Sequence, residues 1–280
     1  MIDITAFGAS PNNPDDTDHI QTALDSANPG DTVLVPAGTF KVNPLRSVKP
    51  KSGTILKIDG TLKAIGVDKW DSIVVNVRDV SDVSILGPGK IIGERYENRA
   101  PPPGRHGNCL QVFNSSRIKV GGNLILGQGQ ADGLYVEDVK DMTVDGVQCV
   151  DNARNGMSII SAERLMVTNS LFTMTHSESP MPQCGIDIEP DPIPSLSLIG
   201  ITITGNRFVK NAGAGVYIAF QPAANRRSVR VVNNYFDQHY YDGSGPCIGG
   251  RNSPTANLCY ASCRWIPGYD WWFFPTEFSL

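Results

Sequence analysis

The chain lacks the marks of several protein classes at once. No run of 18 apolar residues is present, so no membrane-spanning helix is expected. The first residues, Met1-Ile-Asp-Ile-Thr5, carry neither the charged nor the apolar region of a secretory leader. Lys and Arg number 24 against 28 Asp and Glu, a formal charge of −4 with no cationic run to offset it. A phosphate backbone needs a basic footprint, so no nucleic acid is expected as a partner, and no membrane either. Six cysteines are too few and too scattered for a disulfide scaffold, and no CxxC pair marks a zinc or redox site. Cys259 and Cys263 form the one close pair, to be read as a local disulfide or as two free thiols. A glycine-rich phosphate loop and a nucleophile elbow are both missing.

What the chain does have is a repeat. Short apolar-alternating segments recur as Leu110-Gln-Val112, Leu134-Tyr-Val136, Met157-Ser-Ile159, Ile186-Asp-Ile188 and Val216-Tyr-Ile218, with Ile248 as a sixth. Four of them follow Gly133, Gly156, Gly185 and Gly215, in steps of 23, 29 and 30 residues. A second series runs in phase as Val83-Ser-Ile85, Ile118-Lys-Val120, Met142-Thr-Val144, Leu165-Met-Val167, Ile201-Thr-Ile203 and Val229-Arg-Val231. A third follows as Val147-Gln-Cys149, Ser170-Leu-Phe172, Asn206-Arg-Phe208 and Asn234-Tyr-Phe236. Alternation of period two marks strands buried on one face, and a repeat this short must stack on its neighbours to bury a core. The pattern predicts an all-β solenoid, a single-stranded parallel β-helix of about seven to nine coils with three short strands per coil.

Residues 1–45 differ in kind and read as an N-terminal cap plus first coil. Thr17 is placed to cap a short helix whose Ile20, Ala23, Leu24 and Ala27 lie on one face, before Asn28-Pro-Gly-Asp31 stops it. Two strands follow, Thr32-Val-Leu-Val-Pro36 and Gly38-Thr-Phe-Lys-Val42. Residues 46–236 carry the coils. Residues 237–280, rich in aromatics such as Trp265, Trp271, Trp272, Phe273 and Phe274, read as a C-terminal cap of one structural domain. Asn169, Asn206 and Asn234 recur at turns and suit a hydrogen-bonded ladder along the stack.

Phe7-Gly-Ala-Ser10, Asp15-Asp-Thr17 and Gly30-Asp-Thr-Val-Leu-Val-Pro-Ala-Gly-Thr-Phe40 together resemble the N-terminal cap and first coil of the pectate-lyase-like superfamily of right-handed parallel β-helices. Asp132-Gly-Leu-Tyr135, Arg154-Asn-Gly156 and Gly185-Ile-Asp-Ile-Glu-Pro190 look like coil segments of its polysaccharide-active and phage-tailspike-like members. The resemblance spans about residues 1–240 and implies the fold and a glycan ligand, not one chemistry, since the superfamily includes hydrolases, lyases, epimerases and adhesins. It does not extend to the polygalacturonase motif set. Of that set only Arg117-Ile-Lys119 stands here, preceded by Arg105-His-Gly107.

Side chains alternate along a strand, so placing Leu110, Leu134, Met157, Ile186 and Val216 inside places their neighbours outside. One outward column reads Gln111, Tyr135, Ser158, Asp187, Tyr217, Gly249; the next reads Phe113, Glu137, Ile160, Glu189, Ala219, Arg251. Asp187 and Glu189 share a strand face, with carboxylates expected roughly 6–8 Å apart, a spacing that suits the acid and base of an inverting glycosidase. Glu137, two coils away, is the fallback partner. A structural role for the pair, holding a cation together with Asp191, is the alternative. Tyr135 and Tyr217 offer flat faces to a sugar ring. Arg154 could hold a uronate carboxylate or pair with Asp132 or Asp151. Gln111, Asp132, His106, His176 and Arg251 complete the set facing the ligand.

A strand-built face of acids and aromatics suits an extended polymer. The expectation is a polysaccharide-degrading glycoside hydrolase acting through Asp187 and Glu189 on an extended glycan, acidic ones included, with no cofactor. The alternatives are a lyase or C5-epimerase on a uronate polymer, which would bring in Ca²⁺, and a non-catalytic glycan-binding module. The tailspike-like resemblance implies a homo-oligomer, a trimer in that case, and an extracellular or virion-associated location.

Overall fold

Three short strands per coil, each hydrogen-bonded in parallel to its counterpart one coil on, generate the architecture. The computed structural model describes residues 1–67, 71–97, 107–177, 182–189, 198–219, 227–237, 248–251 and 259–264. The first ladder stacks Ile73–Arg78, then residues 108–113, 134–137, Met157–Ile159, Ile186–Ile188, Val216–Ala219 and Ile248–Arg251. The second runs from Thr32–Val35 to Cys259–Arg264, and the third from Thr39–Val42 to residues 235–237. All pairings are parallel, and the expected register holds rung by rung: Leu134 opposite Met157, Met157 opposite Ile186, Ile186 opposite Val216.

The interior is apolar because the alternation puts it there. Leu110, Leu134, Met157, Ile186 and Val216 are fully buried, as are Val120, Val144, Val167 and Ile203 of the second ladder. In the third, Phe172 stacks on Phe208 at 5.2 Å between ring centroids and Phe208 on Phe236 at 4.9 Å. Each fully buried aliphatic of this kind contributes about 1.5–3 kcal/mol of transfer free energy. The glycines that precede the first-ladder strands have a steric reason. A Cβ on Gly156 would stand 2.6 Å from the carbonyl oxygen of Gly185, and one on Gly185 2.5 Å from that of Gly215.

Corners are turned by single residues in the left-handed region, stacked in columns. Asp82, Arg117, Asp141 and Arg164 (φ 60°, 54°, 56° and 57°) form one column, and Asn123, Gly146, Asn169, Gly205 and Asn233 another. This places Asn169 at a left-handed turn, where it donates to Asp145 Oδ1, outside the hydrogen-bonded ladder expected for it. The ladder runs one residue later: Ser170 N donates to Asn206 Oδ1 and Asn206 N to Asn234 Oδ1, so Asn206 and Asn234 act as anticipated.

The helix spans Thr17–Ser26 and buries Ile20, Ala23 and Leu24 in the common core, with Ala27 just beyond its end. Its N-cap position is Asp16, not Thr17. Thr17 is already helical, while the Asp16 carboxylate turns to Ser10 N and Asn13 Nδ2. No described helix is long and apolar enough to cross a membrane. The aromatic residues 265–280 lie outside the described residues, as do the side chains of Cys259 and Cys263.

Candidate functional site

The site grows out of the turn that leads into the first ladder. One residue of this turn bonds to the next coil's equivalent: Asp132 N donates to Asn108 Oδ1 (3.3 Å), Asn155 N to Asp132 Oδ1 (3.0 Å), and Cys184 N to Asn155 Oδ1 (2.8 Å). Asp132 is therefore fully buried as a rung of a turn ladder, which explains why a carboxylate sits there at all. Its second oxygen accepts from Ser158 Oγ at 2.8 Å and from Arg154 Nη1 at 3.3 Å.

Arg154, next to this ladder, folds over the outward column. Its Nη2 lies 3.9 Å from Asp187 Oδ2 and 3.5 Å from Glu189 Oε2. One guanidinium, 18 % exposed, thus serves three carboxylates, and their fields, that of Asp132 foremost, hold its positive charge more firmly than in water. Nη2 also bounds the separation of those Asp187 and Glu189 oxygens at about 7 Å, within reach of both the inverting and the retaining spacing.

Asp187 departs from the sequence expectation. It points outward as the register requires, yet it is 0 % exposed, because outward means away from the core and not into water. Asn155 Nδ2 donates to its Oδ2 at 3.1 Å, while Oδ1 is buried with no hydrogen-bond partner among the described residues. Burial first, then Glu189 and Asp132, push the Asp187 carboxyl up to about 7 against the pull of Arg154 and Asn155. Glu189, with 39 % of its side chain exposed, is the open member of the pair.

The other expected residues divide. Tyr217 stands in register beside Asp187 and is half-buried. Tyr135 is no open platform: it is 9 % exposed, packs on Ile160, and donates its hydroxyl to Glu137 Oε2 at 3.0 Å. Glu137 is thereby held by Tyr135, two rungs from Glu189, and makes no ion pair with Arg154. Gln111, 7 % exposed, lies one rung before Tyr135. His176 is not brought to the acids; it meets Arg95 through Nε2 at 3.1 Å, and Asp151 is likewise taken by Arg95 and Tyr96. Arg251 holds its place in the column by backbone register, its side chain being outside the described residues, as are His106 and Asp191 altogether. Arg117 pairs with Asp82 at an exposed corner, away from the acids.

Sequence reasoning gives Asn155 no role and only sets Ser158 in the outward column; they are the buried polar residues that wire Asp187 to Asp132. The recurrence of Asn108, Asp132 and Asn155 at spacings of 24 and 23 was the available signal. A shallow cleft of about 450 Å³ lies at the neighbouring corner, lined by Ser52, Asp79, Ser115, Asp138 and Lys140 among others. Within its walls Asn114 donates to Asp79, and Lys140 pairs with Glu163. Among the described residues no group of three or more His, Cys, Asp or Glu is arranged to hold a metal ion.

No curated protein matches the chain. Solved structures do. The Yersinia enterocolitica family 28 exopolygalacturonase is similar over 93 % of this chain and 64 % of its own, at 12 % identity and a TM-score of 0.64. The Streptococcus pneumoniae surface protein and adhesin PfbA is similar over 93 % and 76 %, at 17 % identity and 0.67. The tailspike gp49 of Acinetobacter baumannii bacteriophage Fri1, a capsular polysaccharide depolymerase, is similar over 94 % and 50 %, at 14 % and 0.65. The chain thus spans half the length of that tailspike. At these identities the likeness is one of fold, and it joins proteins that cut glycans to one that adheres. A family model for the right handed beta helix region matches residues 96–260, more than half of the chain, and the protein belongs to that family of right-handed parallel β-helices.

Proposed function

We propose that this protein is a polysaccharide-degrading glycoside hydrolase in which Asp187 is the general acid and Glu189 the base that activates water. The observation that carries the reading is the split between the two carboxyls. Asp187 is dry and pushed up to about 7, so it holds a proton near neutrality; Glu189 faces solvent, where a water can reach it. Arg154 between them fixes both side chains and offsets the charge that would otherwise separate them. The reading draws on no cofactor, and the glycan has to uncover Asp187 Oδ1 on binding. Arg154 is taken up by Asp132, Asp187 and Glu189, which speaks for hydrolysis over the lyase alternative, where it would have to neutralise a uronate.

The test is a panel of purified bacterial capsular and plant polysaccharides assayed for new reducing ends. Asp187→Asn and Glu189→Gln should each lower kcat by about 10²–10⁴ with binding retained, and the first product should show an inverted anomeric centre. Full activity in both variants on a glycan that the wild type cuts would remove the assignment. The complete burial of Asp187 favours a second reading, glycan binding without turnover, in which Asp187 only anchors Asn155 and Arg154. Retention of glycans with no cleavage of any would select it. Glycans outside the cell are the natural ligands on both readings, and a homo-oligomer is the assembly we propose for it.

A further inference from the structure

The outward column that holds Asp187 continues toward the N-terminus beyond any residue the proposed chemistry uses. Asp187 is in register with Ser158, Ser158 with Tyr135, Tyr135 with Gln111, and Gln111 with Asn76. At about 4.8 Å per coil, Gln111 stands about 14 Å and Asn76 about 19 Å from Asp187 along the groove. Gln111 is 7 % exposed, and its amide makes no hydrogen bond among the described residues and is not wholly sealed off, so it stays open to a ligand. Asn76, one coil on, likewise makes none, and its Oδ1 is buried. A buried carbonyl oxygen without a partner, as in half-buried Asn76, costs about 1–3 kcal/mol unless something else supplies the bond. Beside it on the next rung the Gln111 amide also has its bonds to give. Beside them Phe113 lies in register with Arg78, whose guanidinium sits 3.9 Å over the ring and leaves the ring a rigid apolar neighbour to the amides.

We infer that Asn76 and Gln111, flanked by Phe113, form a distal subsite that takes the hydroxyl groups of a sugar ring. Each amide presents two donors and one acceptor oxygen, and a pair of neighbouring hydroxyls can use both kinds of group. The spacing makes it a second point of attachment for a chain that also reaches Asp187, so it selects long glycans over short ones. This inference rests on the glycan-binding reading of the groove but not on cleavage.

The test measures binding with turnover suppressed. Asp187→Asn protein is applied to an array of neutral and acidic oligosaccharides graded in length, alone and with Asn76→Ala and Gln111→Ala added. The added substitutions should weaken binding by about tenfold for chains able to span about 19 Å, with a loss that shrinks as the chain shortens. Melting temperatures report whether the fold survives. A loss equal at every length, or no loss at all, overturns the subsite while leaving glycan binding standing. Retention of no glycan by the Asp187→Asn protein removes the groove's reading and the subsite together. Gln111→Glu is the second variant: it keeps the shape and an acceptor but removes the donors, and unchanged binding of long chains by it also overturns the subsite.

Discussion

Two arginines, each facing carboxylates along the same stack, meet opposite fates. Arg164 at an exposed corner is held by Asp141 through Nε at 2.6 Å and Nη2 at 2.8 Å, with Glu163 farther off at 3.7 Å from Nη1, and Arg117 is held by Asp82 in the same two-pronged way. Arg154 has one guanidinium for Asp132, Asp187 and Glu189, at 3.3, 3.9 and 3.5 Å, in a place that water hardly reaches. In the corner the arginine bond holds the Asp141 and Asp82 carboxyls below their usual range. In the groove the Asp187 carboxyl is pushed up to about 7, burial outweighing the arginine. Residue types alone do not decide which way a carboxyl shifts; stoichiometry and solvent do. A two-pronged pair in water is a fastener, whereas three acids sharing one cation, two of them fully buried, leave a proton to be used.

The contrast can be broken at its most sensitive point, the core beneath it. Ile186, one residue from Asp187, faces inward and is fully buried. Ile186→Asp puts a second carboxylate on the inward, apolar side of the strand and should cost on the order of 3 kcal/mol or more. Calorimetry reads this directly; a wild-type melting temperature would mean the register is wrong. Next in size is Arg154→Ala, which strips the shared cation from Asp132, Asp187 and Glu189 and should cost about 3 kcal/mol near pH 8 and less near pH 5, where Asp187 holds its proton. The corner provides the matched control, since Arg164→Ala removes an exposed pair and should barely move the transition at either pH.

A further prediction concerns sign. The Asp187 carboxyl is raised when folded, so the native state binds its proton more tightly than the unfolded chain does, and wild-type stability falls as pH rises from about 4 through 7. Asp187→Asn removes that dependence. The variant should therefore gain on the wild type across this window and hold the gain above pH 7, on the order of a few kcal/mol at most. Denaturant midpoints at pH 5 and pH 8 measure it. Equal differences at both pH values would place an ionised carboxylate at position 187.

Much of this was legible in the sequence, and the reason is periodicity. Alternation of period two fixes which side of a strand a residue takes, so the interior of the three ladders and the outward place of Asp187 could be written down from the repeats, with Glu189 expected on the same strand and found one residue past its end at Ile188. Alternation is silent on what lies over the outer side. Arg154 and Asn155 reach the acids from a turn, whose recurrence lies in polar residue type and not in apolar alternation; alternation alone puts Asp187 on an outer face and makes Tyr135 an open platform, and both are buried. The corners escaped for a different reason. Left-handed positions are assigned to Asn, Asp and Gly by local preference, but here Arg117, Arg164, Met174 and Lys210 also adopt them, because the stacked coils impose the conformation on whatever residue stands there.

The central claim is that Asp187 keeps its proton near neutral pH because it is dry and beside Glu189. Carboxyl-carbon NMR with ¹³C-labelled aspartate, assigned through Asp187→Asn, measures this without any substrate. The account predicts a titration of Asp187 with its midpoint at about 7, moving down in Glu189→Gln as a neighbouring charge is lost. A midpoint in the ordinary carboxylate range of about 4, or one indifferent to Glu189, would contradict it.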